Sequence, residues 1–155
     1  MSETSFTFAM GEFTAAFPAD RRYATNHMWA RPRGDESWRF GLTAYAVRLL
    51  QDVYFLDWTI DEGVTLASRQ TIGDIESKKA ESGLYAPVGG TLTRFNEDVL
   101  DDPSLINAEP YAAGWLFEMR PSSIEELLSP TAYRDHLADA WEVAQRTIKG
   151  QATTV

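Results

Sequence analysis

The chain has 155 residues, with 14 Lys and Arg, 23 Asp and Glu and no Cys, and this length fits one domain around a single core. The formal charge of -9 argues against a nucleic-acid binder, which needs a basic face to displace counterions from phosphates. A chain without Cys has no disulfide, thiolate zinc site, cysteine nucleophile or CxxC redox pair.

Short apolar segments predict strands along most of the chain. Residues 1–22 carry Phe6, Phe8 and Met10 in alternation, and we interpret them as an N-terminal arm, either an edge strand or a segment packed on the main body. Trp115 follows Gly114 in the last predicted strand and is expected in the core. The predicted strands after the arm are 38–42, 53–58 as a buried strand, 64–67, 71–76, 84–86, 91–95 and, with Trp115, 115–119.

Three connections between these strands have a predicted form. Thr43 is a suitable N-cap for a short helix over residues 44–50. Small and polar residues over 77–83 predict a hairpin turn between two strands. Residues 96–107 form an acidic loop in which we expect a helical turn that stops at Pro103.

The end of the chain changes to a helical period. Ser122 and Ser123 each precede an acidic residue by three positions, which predicts two overlapping capping boxes. Apolar residues then recur at helical spacing, at Tyr133, Leu137, Trp141, Ala144 and Ile148. Gly150 is expected to end this helix. Many strands followed by one helix predict an α+β fold, mostly β, built as a small sandwich or barrel with a C-terminal helix.

The sequence offers no catalytic or metal-binding constellation. It has two histidines, His27 and His136, and no nucleophile-elbow sequence, phosphate-binding loop or dinucleotide fingerprint. No apolar run approaches the length of a membrane helix, and residues 1–5 are not followed by an apolar signal segment. We therefore expect a cytoplasmic monomer with no nucleic-acid or membrane partner, no metal and no catalytic residue.

One turn carries a lysine in an unusual setting. The segment Glu76-Ser77-Lys78-Lys79-Ala80 lies between two predicted strands, with Lys79 near its apex. The amine of an exposed turn lysine is a nucleophile that a ligase can acylate, and the product is a swinging group held away from the body. The residues alone leave open an ordinary solvated turn.

Residues 23–120 resemble the H protein of the glycine cleavage system, a lipoate carrier. The similar segments are Asn-His-Met-Trp (26–29), Phe-Gly-Leu-Thr-Ala-Tyr-Ala (40–46), Asp-Ile-Glu-Ser-Lys-Lys-Ala (74–80), Leu-Tyr-Ala-Pro-Val-Gly-Gly (84–90), Asn-Glu-Asp-Val-Leu-Asp-Asp-Pro-Ser-Leu-Ile-Asn (96–107) and Pro-Tyr-Ala-Ala-Gly-Trp-Leu (110–116). Their register places the acylated lysine at Lys79 and not at Lys78. Two other families of carriers fit the sequence less well. Biotin carriers place Met on both sides of their lysine, and lipoyl domains of acyltransferase complexes lack the last two segments.

The resemblance implies a fold and a set of site residues. Residues 23–120 are expected to form a barrel-sandwich hybrid of the lipoyl type, preceded by the arm 1–22 and followed by a helical segment 121–150 packed on the same domain. Lipoate is expected on Lys79. The residues expected to complete the lipoylation motif are Glu76, Ser77 and Ala80. The residues expected to line a cleft for the lipoyl arm are Asn26, His27, Met28, Leu49 and Gly83.

The resemblance also implies a function. The chain would be a carrier subunit and not an enzyme, and it would shuttle an aminomethyl group between the enzymes of glycine cleavage. The implied partners are glycine decarboxylase, aminomethyltransferase, dihydrolipoyl dehydrogenase, and a lipoate ligase or a lipoyl or octanoyl transferase.

The chain departs from the family at three positions. Met28, Ala44 and Gly83 stand where the family usually has acids, which would stabilise a positively charged aminomethyl group. Two alternatives therefore stay open. One is a lipoate-bearing paralogue in sulfur oxidation or lipoyl relay, and the other is an unmodified binding module of the same fold.

Overall fold

The computed structural model describes the backbone of residues 5–153 and the side chains of residues 5–146. The strands are β1 (Ser5–Met10), β2 (Phe13–Pro18), β3 (Arg22–Tyr23), β4 (Met28–Gly34), β5 (Ser37–Leu42), β6 (Val53–Trp58), β7 (Thr65–Leu66), β8 (Thr71–Ser77), β9 (Glu81–Tyr85), β10 (Gly90–Phe95) and β11 (Phe117–Pro121). The helices are α1 (Ala44–Leu50), α2 (Glu97–Asp101), α3 (Leu105–Ala108) and α4 (Pro130–Thr153). None of the helices in this described part is long and apolar enough to cross a membrane.

The main core lies between two open antiparallel sheets. One has the strand order β3-β4-β5-β11-β10-β7 and the other has the order β6-β8-β9. Side chains from both sheets fill the space between them, among them Phe40, Ile75 and Leu92, each at most 1% exposed. The prediction of a mostly β fold with a C-terminal helix is confirmed.

A second core joins the two ends of the described chain. Strands β1 and β2 pair only with each other as a hairpin, and their inner side chains pack against α4. Tyr23 stacks on Tyr133 of α4 with ring centroids 4.5 Å apart, and Phe17 meets the edge of Tyr133 at 5.7 Å. The N-terminal segment is therefore a packed hairpin, while the division into 1–22, 23–120 and 121–150 stays a prediction.

The start of the terminal helix was predicted wrongly. Helix α4 begins at Pro130, where the missing N–H of proline costs nothing, and the Ser129 hydroxyl accepts from the Ala132 N–H at 3.2 Å. The hydroxyl of Ser123 instead accepts from the Glu125 N–H at 3.1 Å in a local turn, and the hydroxyl of Ser122 donates to the Gly89 carbonyl. Serine hydroxyls that bond the nearby backbone in this way support turns as readily as helix starts.

Three other boundaries differ from the prediction. Helix α4 continues to Thr153, so Gly150 does not end it. The segment 96–107 forms α2 and α3, two short helices in place of one helical turn. The hairpin turn is also shorter than 77–83, because β8 extends through Ser77 and β9 begins at Glu81.

Two segments predicted to be buried are partly exposed. Strand β6 is an edge strand with a bulge after Val53, and Tyr54 and Phe55 on it are 62% and 42% exposed. Trp115 precedes β11 and is half-buried, with Arg39 over its ring at 4.1 Å and Arg94 at 5.2 Å. The prediction failed because β6 and Trp115 are apolar in sequence. The sequence does not show that one face of β6 meets solvent or that arginines cover the indole ring.

We expect Phe17→Ala to lower the free energy of unfolding by about 3–5 kcal/mol, because it empties a site in the second core. Phe17 is 0% exposed. The matched control is Phe55→Ala, for which we expect a loss below about 1 kcal/mol at an exposed position. Urea unfolding followed by tryptophan fluorescence measures both free energies. Equal losses in the two variants would show that Phe17 contributes no more to stability than an exposed residue does.

Candidate functional site

The turn between β8 and β9 is organised by the hydroxyl of Ser77. This oxygen accepts from the backbone N–H of Lys79 at 3.3 Å and from that of Ala80 at 3.1 Å, and the Ser77 N–H donates to the Ala80 carbonyl at 2.8 Å. Ser77 is 5% exposed, whereas Lys79 is exposed. The turn therefore fixes the backbone of Lys79 and leaves its side chain in solvent.

The same turn is braced from behind by Asn107. The Lys78 N–H donates to the Asp52 carbonyl at 2.8 Å. Asn107 holds both neighbours of Asp52: its amide N–H donates to the Gln51 carbonyl at 2.6 Å, and its side-chain oxygen accepts from the Val53 N–H at 2.8 Å. Sequence reasoning missed this role, although Asn107 closes one of the segments on which the family resemblance rests.

A cleft of about 330 Å³ lies beside the turn. All five residues predicted to line an arm-docking cleft, Asn26, His27, Met28, Leu49 and Gly83, line it together with Ala80. The other lining residues are Leu42, Ala46, Leu50, Ile75, Glu81, Ser82, Leu84 and Tyr85. The structure thus brings the predicted residues together, and their role in docking stays a prediction.

Asn26 holds one end of the cleft and keeps a free acceptor. Its amide N–H donates to the Tyr85 carbonyl at 3.0 Å. Its side-chain oxygen is buried and has no hydrogen-bond partner among the described residues. A buried acceptor without a partner is costly, so a ligand that brought a donor to this oxygen would gain a hydrogen bond.

His27 is held in an uncharged state by its surroundings. Burial, and next the charge of His136, lower the pKa of His27 from 6.5 to about 4. Burial raises the pKa of Tyr133 well above its ordinary value, so the Tyr133 hydroxyl keeps its proton, and it forms a hydrogen bond of 2.9 Å with Nδ1 of His27. The Thr43 hydroxyl lies 3.0 Å from that of Tyr133, and it makes no capping bond to α1.

Of the three positions at which the family usually has an acid, two line the cleft and the third does not. Met28 is 1% exposed and belongs to the main core, and both Met28 and Gly83 line the cleft. Ala44 packs against the second core, and its N–H donates to the Tyr111 hydroxyl at 2.8 Å. We expected all three positions to face a bound cargo, and for Ala44 this prediction is wrong, because Ala44 does not line the cleft. Glu81 is the one carboxylate in the lining as far as residues 5–146 show.

Glu76 lies on the other side of the hairpin. It pairs across the sheet with Phe55 of β6 and Glu81 of β9, and these residues line a hollow of about 350 Å³. Glu76 is therefore on the outer face of the lysine hairpin and not in the cleft. In the part of the chain that is described, no group of three His, Asp or Glu is placed to hold a metal ion.

We expect acid to destabilise the protein through His27. Between pH 6.5 and about 4 the unfolded chain binds a proton at His27 that the folded protein does not, so stability falls as the pH falls through this window. The variant His27→Asn stays neutral, and Asn tolerates the positive φ of 68° at this position. The urea midpoint of unfolding should therefore decrease less from pH 7 to pH 5 in His27→Asn than in wild type. An identical fall in both proteins would contradict the assignment.

Comparison with known proteins identifies the family. Residues 21–140 match the family model described as glycine cleavage H-protein. The glycine cleavage system H protein of Pseudoalteromonas atlantica is 39% identical over 125 residues, which cover 79% of this chain and 96% of that protein. A probable glycine cleavage system H protein of Haloarcula marismortui is 42% identical over 123 residues, which cover 77% and 95% of the two chains.

A solved structure agrees with this match. The crystal structure of a glycine cleavage system H protein from Mycobacterium marinum has a TM-score of 0.69 and 33% sequence identity to this chain. The likeness covers 79% of this chain and 99% of that one. The family model, the sequence relatives and the fold all agree, and the chain belongs to the glycine cleavage H-protein family.

Proposed function

We propose that this chain is a lipoate carrier that shuttles an aminomethyl group between the enzymes of the glycine cleavage system, with lipoate attached to Lys79. The observation that carries the proposal is the position of Lys79, exposed on a turn that Ser77 holds rigid, beside a cleft large enough for an arm. The chain itself would catalyse no step.

The residues of the cleft suit a lipoyl group. The walls are largely apolar, as an aliphatic arm requires, and Ala80 of the turn is itself part of the lining. The buried side-chain oxygen of Asn26 lacks a partner in the described structure and would accept from an amide or an amine on the arm. Lipoate would supply a cyclic disulfide to take up the cargo, and the dithiol left after the cargo departs would be the form that dihydrolipoyl dehydrogenase oxidises back to the disulfide.

The residues of the chain would divide the work of a carrier. Ser77 and Asn107 hold the turn, so that the arm starts from a fixed point. Met28 and Leu84 are at most 5% exposed and exclude water from the floor of the cleft. Glu81 borders both the cleft and the outer hollow that Glu76 lines, and from this border it would stabilise a positively charged cargo in place of the acids that are absent at positions 28 and 83.

The partners in this proposal all need access to Lys79. They are glycine decarboxylase, aminomethyltransferase, dihydrolipoyl dehydrogenase, and the lipoate ligase or lipoyl or octanoyl transferase that modifies the lysine. Exposed apolar side chains flank the turn, with Leu49 at 42%, Phe55 at 42% and Tyr85 at 46%, and these suit transient contacts. We place the carrier in the cytoplasm.

The relatives bear on the choice between the alternatives. A paralogue for sulfur oxidation or lipoyl relay, or an unmodified module, would keep the same fold. The similar proteins from Pseudoalteromonas atlantica and Mycobacterium avium are both named glycine cleavage system H proteins. This agreement favours glycine cleavage, although Met28 and Gly83 replace two acids of the cleft.

Lipoylation is expected at Lys79 alone. Incubation with a lipoate ligase should add one lipoyl mass to wild type and to Lys78→Arg, and none to Lys79→Arg, because arginine keeps the charge but is not acylated under these conditions. Mass spectrometry of the intact protein measures this. Modification that persists in Lys79→Arg and disappears in Lys78→Arg would move the site to the neighbouring lysine.

The lipoylated protein is expected to support exchange of labelled bicarbonate into glycine by a glycine decarboxylase with pyridoxal phosphate. The rate should approach that given by an H protein from another organism, and the Lys79→Arg protein should give none. A fully lipoylated carrier that supports no exchange would contradict the glycine cleavage assignment and leave lipoylation intact.

A further inference from the structure

The large sheet carries a row of charges, whereas the lysine turn belongs to the small sheet. The strand register places Arg31 of β4 opposite Arg39 of β5, Arg39 opposite Glu118 of β11, and Glu118 opposite Arg94 of β10. Arg33 lies two residues beyond Arg31, at a bulge in β4, and its side chain also reaches Glu118. Like charges directly opposite each other destabilise a sheet, so the pair of Arg31 and Arg39 calls for an explanation.

One carboxylate oxygen serves three of these arginines. Oε2 of Glu118 lies 2.8 Å from Arg39, 3.5 Å from Arg94 and 3.9 Å from Arg33. Arg31 lies 3.5 Å from Asp20, which Arg21 shares at 2.9 Å. Among residues 5–146 no other carboxylate comes within 4.0 Å of the row. Five guanidinium groups, that of Arg21 included, thus share two carboxylates. Positive charge is left over in a protein whose net charge is -9.

A hollow of about 290 Å³ opens over this surplus charge. Its lining contains three arginines and no carboxylate, and aromatic side chains close its sides: the lining residues are Trp29, Arg31, Arg33, Arg39, Tyr111, Ala112, Ala113 and Trp115. Arg39 and Trp115 also line the next hollow, in which Arg94 lies together with Glu62, Glu97 and Asp98, whereas Arg31 and Arg33 line the first hollow alone. The surplus charge is therefore concentrated on the Arg31 side of Trp115.

We propose that this hollow, lined by Arg31, Arg33 and Arg39 beside Trp115, binds the phosphate group of a small phosphate monoester. A phosphate monoester carries close to two negative charges at pH 7, which matches the surplus. The planar guanidinium fork binds phosphate oxygens in pairs, and the aromatic walls suit an apolar or ring-shaped remainder of the ligand. No residue of the lysine cleft lines this hollow, so the proposal stands independently of the lipoate carrier function.

The test is a calorimetric titration of the whole protein with phenyl phosphate at low salt. We expect a dissociation constant below about 1 mM, weakened by added potassium chloride because the contacts are ionic. Arg33→Gln should weaken binding about tenfold, the loss expected for one charge-assisted hydrogen bond. Arg33 is 42% exposed and 3.9 Å from its nearest carboxylate, so this variant should remain folded.

The controls separate the row from general charge. Arg146→Gln removes one arginine that pairs with Glu142 on α4, and it should leave the affinity for phenyl phosphate unchanged. Arg31→Gln should weaken binding as Arg33→Gln does. The proposal would be overturned if phenyl phosphate gave wild type no more heat of binding than potassium chloride gives. It would also be overturned if Arg33→Gln and Arg146→Gln weakened the binding of phenyl phosphate equally.

Discussion

The position of Lys79 depends on the hydroxyl of Ser77. Two backbone amides of the turn converge on this oxygen, and the serine that carries it is nearly buried at the end of β8. Asn107 extends the support by fixing the loop that receives the Lys78 N–H. A swinging arm needs a fixed origin, and these two polar side chains provide it.

The cleft beside that turn depends on the second core. Tyr133 reaches from α4 to His27, whose backbone has a positive φ of 68° at the mouth of the cleft. Tyr133 is itself held by stacking on Tyr23 and by the edge of Phe17. The N-terminal hairpin and the C-terminal helix therefore hold a wall of the cleft as well as adding stability.

The negative net charge hides an uneven distribution. The outer face of the small sheet places Asp57 opposite Asp74 and Glu76 opposite Glu81 around the lysine hairpin, whereas arginines gather on the large sheet around Glu118. Repulsion between close like charges costs stability. The two patches of opposite sign are therefore separate surfaces: the lysine hairpin belongs to the acidic one, and the hollow beside Trp115 belongs to the basic one.

The sequence by itself determined most strands of the two sheets of the main core, the helix α1, the presence of a lysine turn and the family, because alternating side chains and segment spacing are local properties of the chain. It also named five residues that meet in one cleft. It did not reveal β2, β3 or β4. Only the tertiary structure decided that Trp115 is half-buried between two arginines, that Ala44 lies outside the cleft, and that Ser129, not Ser122 or Ser123, precedes α4. The reason is physical: burial, pKa and charge pairing depend on which distant strand or helix lies alongside a residue.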